Sequence, residues 1–295
     1  MITAAQKNAQ RNRGTLFVED GELLSREVFP GDQFIMRIRA PKCAASARPG
    51  TFVHVSCDAT LPMRRPLSIM RAQGDWIEVL YKIVGEGLHL LAEKGPGDRI
   101  SVLGPIGQPF RPSRERPDTL LIGGGVGIPP IVLLAESLQA DDWNPLAILG
   151  SEIPFPFESV ESRLPTTWLD PGTARAMPLL EEWGIPSRLA SLADFEGCHR
   201  GLVTDLAELW LATLDVTALA RTEVFACGPT PMLKAVAELA ARYELPCQVS
   251  LEEFMACAVG GCAGCAVQIR TPEGPAMKRV CVDGPVFDAA TVDWD

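Results

Sequence analysis

The 295-residue chain has no long hydrophobic run, no basic tract and only three histidines. A membrane-spanning helix needs roughly 18 or more apolar residues in a row, so no transmembrane segment is expected. Lysine and arginine total 27 against 37 aspartate and glutamate, a net charge of −10. A polyanion such as DNA would meet an unfavourable field, so no nucleic-acid partner is expected. His54, His89 and His199 lack metal-ligand spacing and are interpreted as core or surface residues.

The composition is that of a globular protein, with 47% apolar and 22% charged residues. The first 14 residues are polar and lack the apolar core of a signal peptide, so a cytoplasmic location is expected. Nine cysteines in that compartment favour metal or redox roles over disulfides. Four of them lie close together near the C-terminus, and the others are scattered as Cys43, Cys57, Cys198, Cys227 and Cys247.

Two different patterns of apolar residues divide the chain into regions. After a polar tail at 1–14, residues 15–110 have short apolar runs separated by Pro-Gly turns, which predicts an antiparallel β-barrel. Residues 111–246 alternate strands with helices, which predicts a parallel sheet covered by helices. Residues 247–295, with the clustered cysteines, are predicted to form a small third unit. The stretch 155–183 is rich in proline and predicts only loops and short helices.

The clustered cysteines give the most specific signal. Their pattern is C-x4-C-x2-C, with a fourth cysteine sixteen positions further on, and three glycines lie among the first three. The x4–x2 spacing is that of plant-type ferredoxins, whose loop wraps a planar [2Fe-2S] cluster. The alternatives are a structural zinc site, usually built on paired C-x2-C knuckles, and unrelated buried thiols. The predicted cluster ligands are Cys257, Cys262, Cys265 and Cys281.

A glycine-rich turn follows the first predicted strand of the α/β region. It would bring backbone N–H groups and a positive helix end to a phosphate, although a merely tight strand-to-helix turn is the alternative. A second turn follows the last parallel strand, at the sheet edge where such folds bind ligands. An acidic residue beside the ribose would repel a 2′-phosphate, which favours NAD over NADP. The predicted nucleotide-binding residues are Gly123, Gly124, Gly125, Gly127, Glu152, Gly228 and Pro229.

A third pattern lies in the barrel region. Arg65 and Ser68 could bind the phosphate and the ring of a flavin. The run Leu80–Lys82 and the following 85–87 could add ring stacking and phosphate contacts. By themselves these are also ordinary strand residues, so both interpretations stay open.

Taken in order, the motifs R-P-L-S, Y-K-x-x-G-E-G, G-G-G-V-G-I-P-P, C-G-P-T-P-M-L-K and C-x4-C-x2-C-x15-C resemble one family. It is the electron-transfer subunit of type B dihydroorotate dehydrogenase, within the ferredoxin–NADP reductase superfamily. The resemblance covers about residues 15–150 and 187–290. It implies FAD on the barrel, NAD as substrate on the next domain and a C-terminal [2Fe-2S] cluster. It also implies FAD contacts from Arg65, Pro66, Leu67, Ser68, Leu80, Tyr81, Lys82, Gly87 and Leu88, the last of which stands where the family usually has threonine.

The cofactor chemistry sets the expected order of electron transfer. Nicotinamide exchanges two electrons as hydride and the cluster exchanges one, so the flavin must lie between them. Cys227 is expected near the nicotinamide–flavin contact, in a positioning role. No residues look able to bind orotate and abstract its proton, so an FMN-containing dihydroorotate dehydrogenase catalytic subunit is the expected partner, in a dimer of heterodimers. The alternatives are a reductase component for another dehydrogenase or oxygenase, and a non-catalytic zinc- or flavin-binding regulator.

Overall fold

The computed structural model describes residues 15–140, 142–164, 166–170 and 172–294, so the tail predicted at 1–14 lies outside it. The chain forms a closed antiparallel barrel, a seven-stranded sheet with helices and a C-terminal hairpin beside the four clustered cysteines. This architecture confirms the predicted fold class. Within the described ranges no helix is both long and apolar enough to cross a membrane.

Six strands close the barrel in the order β1-β2-β5-β4-β3-β6, with antiparallel pairing throughout. Alternation sends Val53, Val55, Leu67 and Ile69 into the barrel core, and their neighbours on β3 and β4 therefore lie on the outer face. The strands are β1 (Phe17–Phe29), β2 (Gln33–Arg39), β3 (Phe52–Val55), β4 (Arg65–Gln73), β5 (Trp76–Lys82) and β6 (Arg99–Ile106). The helices in this region are α1 (Pro41–Ser46) and α2 (Gly85–Glu93).

The seven-stranded sheet has the order β12-β11-β8-β7-β13-β14-β17 and is parallel except for its last strand. Its strands are β7 (Asp118–Gly124), β8 (Asn144–Gly150), β11 (Ser187–Ser191), β12 (His199–Arg200), β13 (Thr222–Cys227), β14 (Cys247–Ser250) and β17 (Val286–Asp288). Its helices are α3 (Ile128–Ser137), α4 (Pro178–Glu182), α5 (Val203–Leu211), α6 (Val216–Ala220) and α7 (Thr230–Arg242).

The proline-rich stretch 155–183 contains more structure than the sequence predicts. Besides α4 it holds a two-stranded sheet, β9 (Val160–Glu161) with β10 (Arg175–Ala176). Buried Arg188 of β11 donates hydrogen bonds to the Ser162 hydroxyl and to the Leu164 carbonyl oxygen. These contacts come from a strand that is distant in sequence, so the local pattern of apolar residues does not predict them.

The cysteine-rich part is joined to both neighbours. The hairpin β15 (Ala266–Thr271) and β16 (Gly274–Arg279) follows the cysteine loop, whereas β14 and β17 belong to the parallel sheet. A buried apolar cluster combines Phe52 and Ile106 of the barrel with Cys265, Val280 and Cys281. The domain boundaries after residues 110 and 246 stay predictions. The cysteines nevertheless lie directly against the barrel.

Candidate functional site

The cysteine loop has a backbone shaped to surround a small group. Ala258, Gly260 and Ala263 have φ values of 54°, 81° and 56°, which turn the chain repeatedly within a few residues. The backbone N–H groups of Gly261 and Cys262 donate to the sulfur of Cys257 at 3.3 and 3.4 Å. Such N–H groups stabilise negative charge on thiolate sulfur. The loop therefore has the donor pattern of an anionic iron–sulfur site.

The four predicted ligands lie together as two pairs. The inner pair, Cys265 and Cys281, is buried at 2% and 1% exposure, and both residues belong to one buried apolar cluster. In the outer pair, the backbone N–H of Cys262 donates to the sulfur of Cys257, and Cys262 is exposed. A [2Fe-2S] cluster takes four thiolates, two on each iron. Two thiol pairs fit that requirement.

Zinc, the alternative to the cluster, needs four ligands converging on one point. Among the residues that the structure describes, no group of three or more His, Cys, Asp or Glu side chains is arranged to hold one ion.

The local environment differs between the two pairs. Burial opposes ionisation of Cys257, but N–H donors from Val259, Cys262 and Gly261 outweigh it and lower its pKa to about 7. Burial and the neighbouring Cys265 thiol raise the pKa of Cys281 to about 12. A cysteine must lose its proton to bind iron. Cys257 is thus better prepared to do so than Cys281.

On the barrel, the Arg65 side chain lies close to Gly87. The side chain of Arg65 packs against the N-terminal turn of α2, where a Cβ atom on Gly87 would lie only 2.9 Å from the guanidinium Nη2. Free N–H groups at a helix N-terminus together with a guanidinium are a favourable site for phosphate oxygens. The absence of a side chain at Gly87 permits this approach. The two residues predicted to meet the flavin phosphate are therefore brought together.

The remaining predicted flavin residues fall on different faces. Tyr81 is 2% exposed inside the barrel and stacks on Phe34 at 5.4 Å between ring centroids. The ring stacking expected from this residue is therefore wrong, because β5 turns its side chain inward, and only its backbone can reach a cofactor. Leu67 also points into the barrel core, and Leu80 is buried against the parallel sheet. The predicted residues at least partly accessible from outside are Pro66, Ser68, Lys82 and Leu88.

The two predicted nucleotide turns pack against each other at one edge of the sheet. A Cβ atom on Gly127 would lie 2.4 Å from the carbonyl oxygen of Cys227, and one on Gly228 would lie 2.4 Å from Met232. These glycines are required by close packing, as the tight-turn alternative expects. Gly125 differs, since its φ is +54° and its Cβ position has open space around it. Gly125 is therefore the part of the turn most open to a ligand.

Cys227 lies at the end of β13, beside β7 and β14. Burial raises its pKa to about 12, with the Ser250 side chain hydrogen-bonded to the thiol and the Glu252 carboxylate nearby. A neutral, buried thiol suits a positioning role and not a nucleophilic one. The sequence did not single out Ser250 and Glu252, which reach this edge because β14 ends beside β13.

Glu152 is exposed just after β8, whose last residue Gly150 pairs with Gly124 of the glycine turn. The Ser151 carbonyl oxygen accepts a 2.6 Å hydrogen bond from the Ser191 hydroxyl, which fixes this loop to β11. Glu152 thus lies on the same sheet edge as the glycine turn. Its role toward ribose stays a prediction.

Sequence reasoning interpreted His54 as an ordinary core or surface residue, and its environment is unusual. The ring is 1% exposed on the outer face of β3, and neither ring nitrogen has a hydrogen-bond partner among the described residues. Burial, together with the positive charges of Arg64 and Arg65, lowers its pKa to about 4. The ring is therefore neutral at physiological pH. It lies against the backbone of Met255, two residues before Cys257.

This pKa predicts a pH dependence of stability. Because the folded-state pKa of about 4 lies below the ordinary value of 6.5, the unfolded chain binds more protons between these values. Stability should therefore fall as the pH drops through this window, by on the order of 3 kcal/mol from this residue. Urea-unfolding midpoints of wild type and His54→Leu, compared across the window, should diverge in that direction. Parallel curves would contradict the assignment.

The comparisons with known proteins agree with this geometry. Residues 252–293 match the model of the iron–sulfur cluster binding domain of dihydroorotate dehydrogenase B. A solved NADH-dependent reduced ferredoxin–NADP oxidoreductase, described for flavin-based electron bifurcation, superposes with a TM-score of 0.75 at 27% identity. That match covers 94% of this chain and 91% of the other. A ferredoxin reductase of carbazole 1,9a-dioxygenase, at 20% identity and a TM-score of 0.58 over 78% of this chain and 67% of that one, shares the fold.

Curated relatives decide the family. The dihydroorotate dehydrogenase B (NAD+) electron transfer subunit of Geobacillus kaustophilus is 36% identical over 83% of this chain and 86% of that protein. The subunit of the same name from Desulforamulus reducens is 30% identical over 94% of this chain and 99% of that protein. The resemblance predicted from the motifs is thereby confirmed, and the chain belongs to the family of electron transfer subunits of NAD+-dependent dihydroorotate dehydrogenase B.

Proposed function

We propose that this chain transfers electrons between NAD(H) and the FMN-containing catalytic subunit of a dihydroorotate dehydrogenase, in pyrimidine biosynthesis. The observation that supports it best is the position of strand β3. This strand pairs with β4, which carries the flavin motif, and it also packs on the inner cysteine pair. Family membership confirms the expected cofactors, namely FAD, a [2Fe-2S] cluster and NAD as substrate. The zinc-regulator alternative is disfavoured by the match of residues 252–293 to an iron–sulfur cluster binding domain.

Each part of the chain has a separate task. When bound, the three groups supply different chemistry: hydride exchange by NAD(H), conversion between two-electron and one-electron transfer by FAD, and one-electron transfer by the cluster. Arg65 and the N-terminus of α2 would hold the FAD phosphates. The glycine turn after β7 would hold the nucleotide phosphates, and the neutral Cys227 thiol would position the reacting rings. The cysteine pairs would hold the cluster between the barrel and the surface.

The partner and the location follow from the family. The relatives are named electron transfer subunits, which implies a separate catalytic subunit. We propose that this subunit binds dihydroorotate and forms a dimer of heterodimers with the present chain. The proposal includes a cytoplasmic location, supported by four clustered cysteines that need a reducing compartment to remain thiolate ligands.

The function is tested with the purified chain and its catalytic subunit. Alone, the anaerobic chain should reduce an artificial acceptor with NADH and show no dihydroorotate oxidation. Added catalytic subunit should restore dihydroorotate-dependent reduction of NAD+. Dihydroorotate turnover by the isolated chain, or failure of NADH to reduce its flavin, would overturn the proposal.

Nucleotide choice is a further expected result. We expect kcat/KM for flavin reduction to be about tenfold or more higher with NADH than with NADPH, because Glu152 would repel the 2′-phosphate. The neutral variant Glu152→Gln should narrow this preference, mainly by improving the use of NADPH. Glu158→Gln, which alters an exposed carboxylate further along the same loop before β9, is the matched control. An unchanged preference in Glu152→Gln would show that this carboxylate does not face the ribose.

A further inference from the structure

We propose that Phe52 and His54, on the outer face of β3, are positioning residues that hold the cluster against the flavin-binding strand. The inference rests on the proposed function and adds to it two residues outside the flavin, nucleotide and cysteine motifs. It concerns electron transfer between the flavin and the cluster. The rate of this step depends on the distance between the two groups, because electron tunnelling weakens steeply with distance.

Strand register places these residues beside the flavin motif. In the antiparallel pair of β3 and β4, Phe52 lies opposite Ser68 and His54 lies opposite Pro66. Residues directly opposite each other on one face have Cβ atoms about 4.5–5.5 Å apart. Val53 and Leu67, which alternate with them, point into the barrel. Phe52 and His54 therefore share the outer face with Pro66 and Ser68 of the flavin motif.

The same two residues meet the cysteine-rich part. Phe52 is 4% exposed, in the buried apolar cluster that contains Ala258, Cys265 and Cys281. His54 lies against the backbone of Met255, in the segment that leads into Cys257. One residue thus packs with the inner cysteine pair, and the other contacts the approach to the outer pair. The barrel wall at β3 is the shared boundary between the predicted flavin and cluster sites.

The buried side chain of His54 lowers the stability of the fold, so we expect a functional reason for its presence. Burying the polar imidazole ring costs desolvation, and an apolar residue of similar size would avoid that loss. Its flat, neutral ring fills the space between β3 and the Met255 backbone without adding a charge beside either cofactor. We infer that the position is shaped for the spacing of the two centres at the expense of stability.

Two variants separate positioning from general stability. His54→Leu removes the buried polar ring and should unfold at an equal or higher temperature than wild type. Phe52→Ala opens a gap beside the inner pair. Ile77→Val, inside the barrel and outside the cluster beside the cysteines, is the control for altered barrel packing. Each holoprotein is first assayed for its content of iron and FAD.

Stopped-flow absorbance then follows the flavin and the cluster separately after mixing with NADH. In His54→Leu and Phe52→Ala, flavin reduction should keep the wild-type rate, while the following cluster reduction should slow by about tenfold or more. Ile77→Val should change neither phase. Fully loaded variants with a wild-type cluster phase would overturn the inference and leave the proposed function standing. Wild-type flavin that NADH does not reduce would instead overturn the proposed function.

Discussion

In Cys262→Ser the iron content should fall from about two atoms per chain to almost none, while most of the FAD remains bound. Cys262 belongs to the exposed outer pair, and its sulfur accepts an N–H donor from Gly264 at 3.4 Å. Serine keeps the size of the side chain but is a poor ligand for iron at neutral pH, since its hydroxyl stays protonated. The predicted flavin pocket of Arg65 and α2 lies on the barrel and contains no part of this loop.

Iron and sulfide analysis, with the visible spectrum, measures the effect. Cys198→Ser is the matched control, because Cys198 is a partly exposed cysteine in the α/β region. It should keep both iron and flavin. An unchanged iron content in Cys262→Ser would remove this residue from the ligand set, and equal losses in both variants would indicate general damage instead.

The sequence predicted the fold well because its signals are periodic. Alternation such as Phe34, Met36 and Ile38 appears directly as β2, with the last two fully buried. The alternation of strands and helices predicted for residues 111–246 is present, with α3, α5 and α7 lying between the parallel strands along the chain. The short sheet of β9 and β10 was not predicted, because two-residue strands have no periodicity and distant Arg188 helps to hold their loop.

The site was predictable where function depends on spacing along the chain. The cysteine pattern places Cys257, Cys262 and Cys265 in one loop, and the hairpin of β15 and β16 returns the chain so that Cys281 packs with Cys265; their role as ligands stays a prediction. The motif containing Tyr81 misled because a strand motif does not state which face its side chains occupy. The proposed roles of Phe52 and His54 depend on the pairing of β3 with β4. The position of Ser250 beside Cys227 depends on the pairing of β14 with β13. Such register between separate strands is set by the closed fold.

Phe254→Asp and Ala263→Asp should uncouple the chain from its catalytic partner, with dihydroorotate-dependent reduction of NAD+ falling by at least about tenfold. Phe254 is 94% exposed three residues before Cys257, and Val259 is 46% exposed just after it. Exposed apolar side chains of this kind mark a surface that another protein covers. Ala263 is also exposed, and its φ of 56° is one that aspartate tolerates better than most residues.

A charge introduced beside the outer cysteine pair would need costly desolvation on docking, whereas the nucleotide and flavin sites stay untouched. Flavin reduction by NADH, iron content and FAD content should therefore match wild type in both variants. Val216→Asp is the control, because Val216 is 83% exposed on α6, in the α/β region. It should couple normally. Wild-type coupling in Phe254→Asp and Ala263→Asp would show that the partner docks elsewhere, and the electron path from the outer pair would then need another exit.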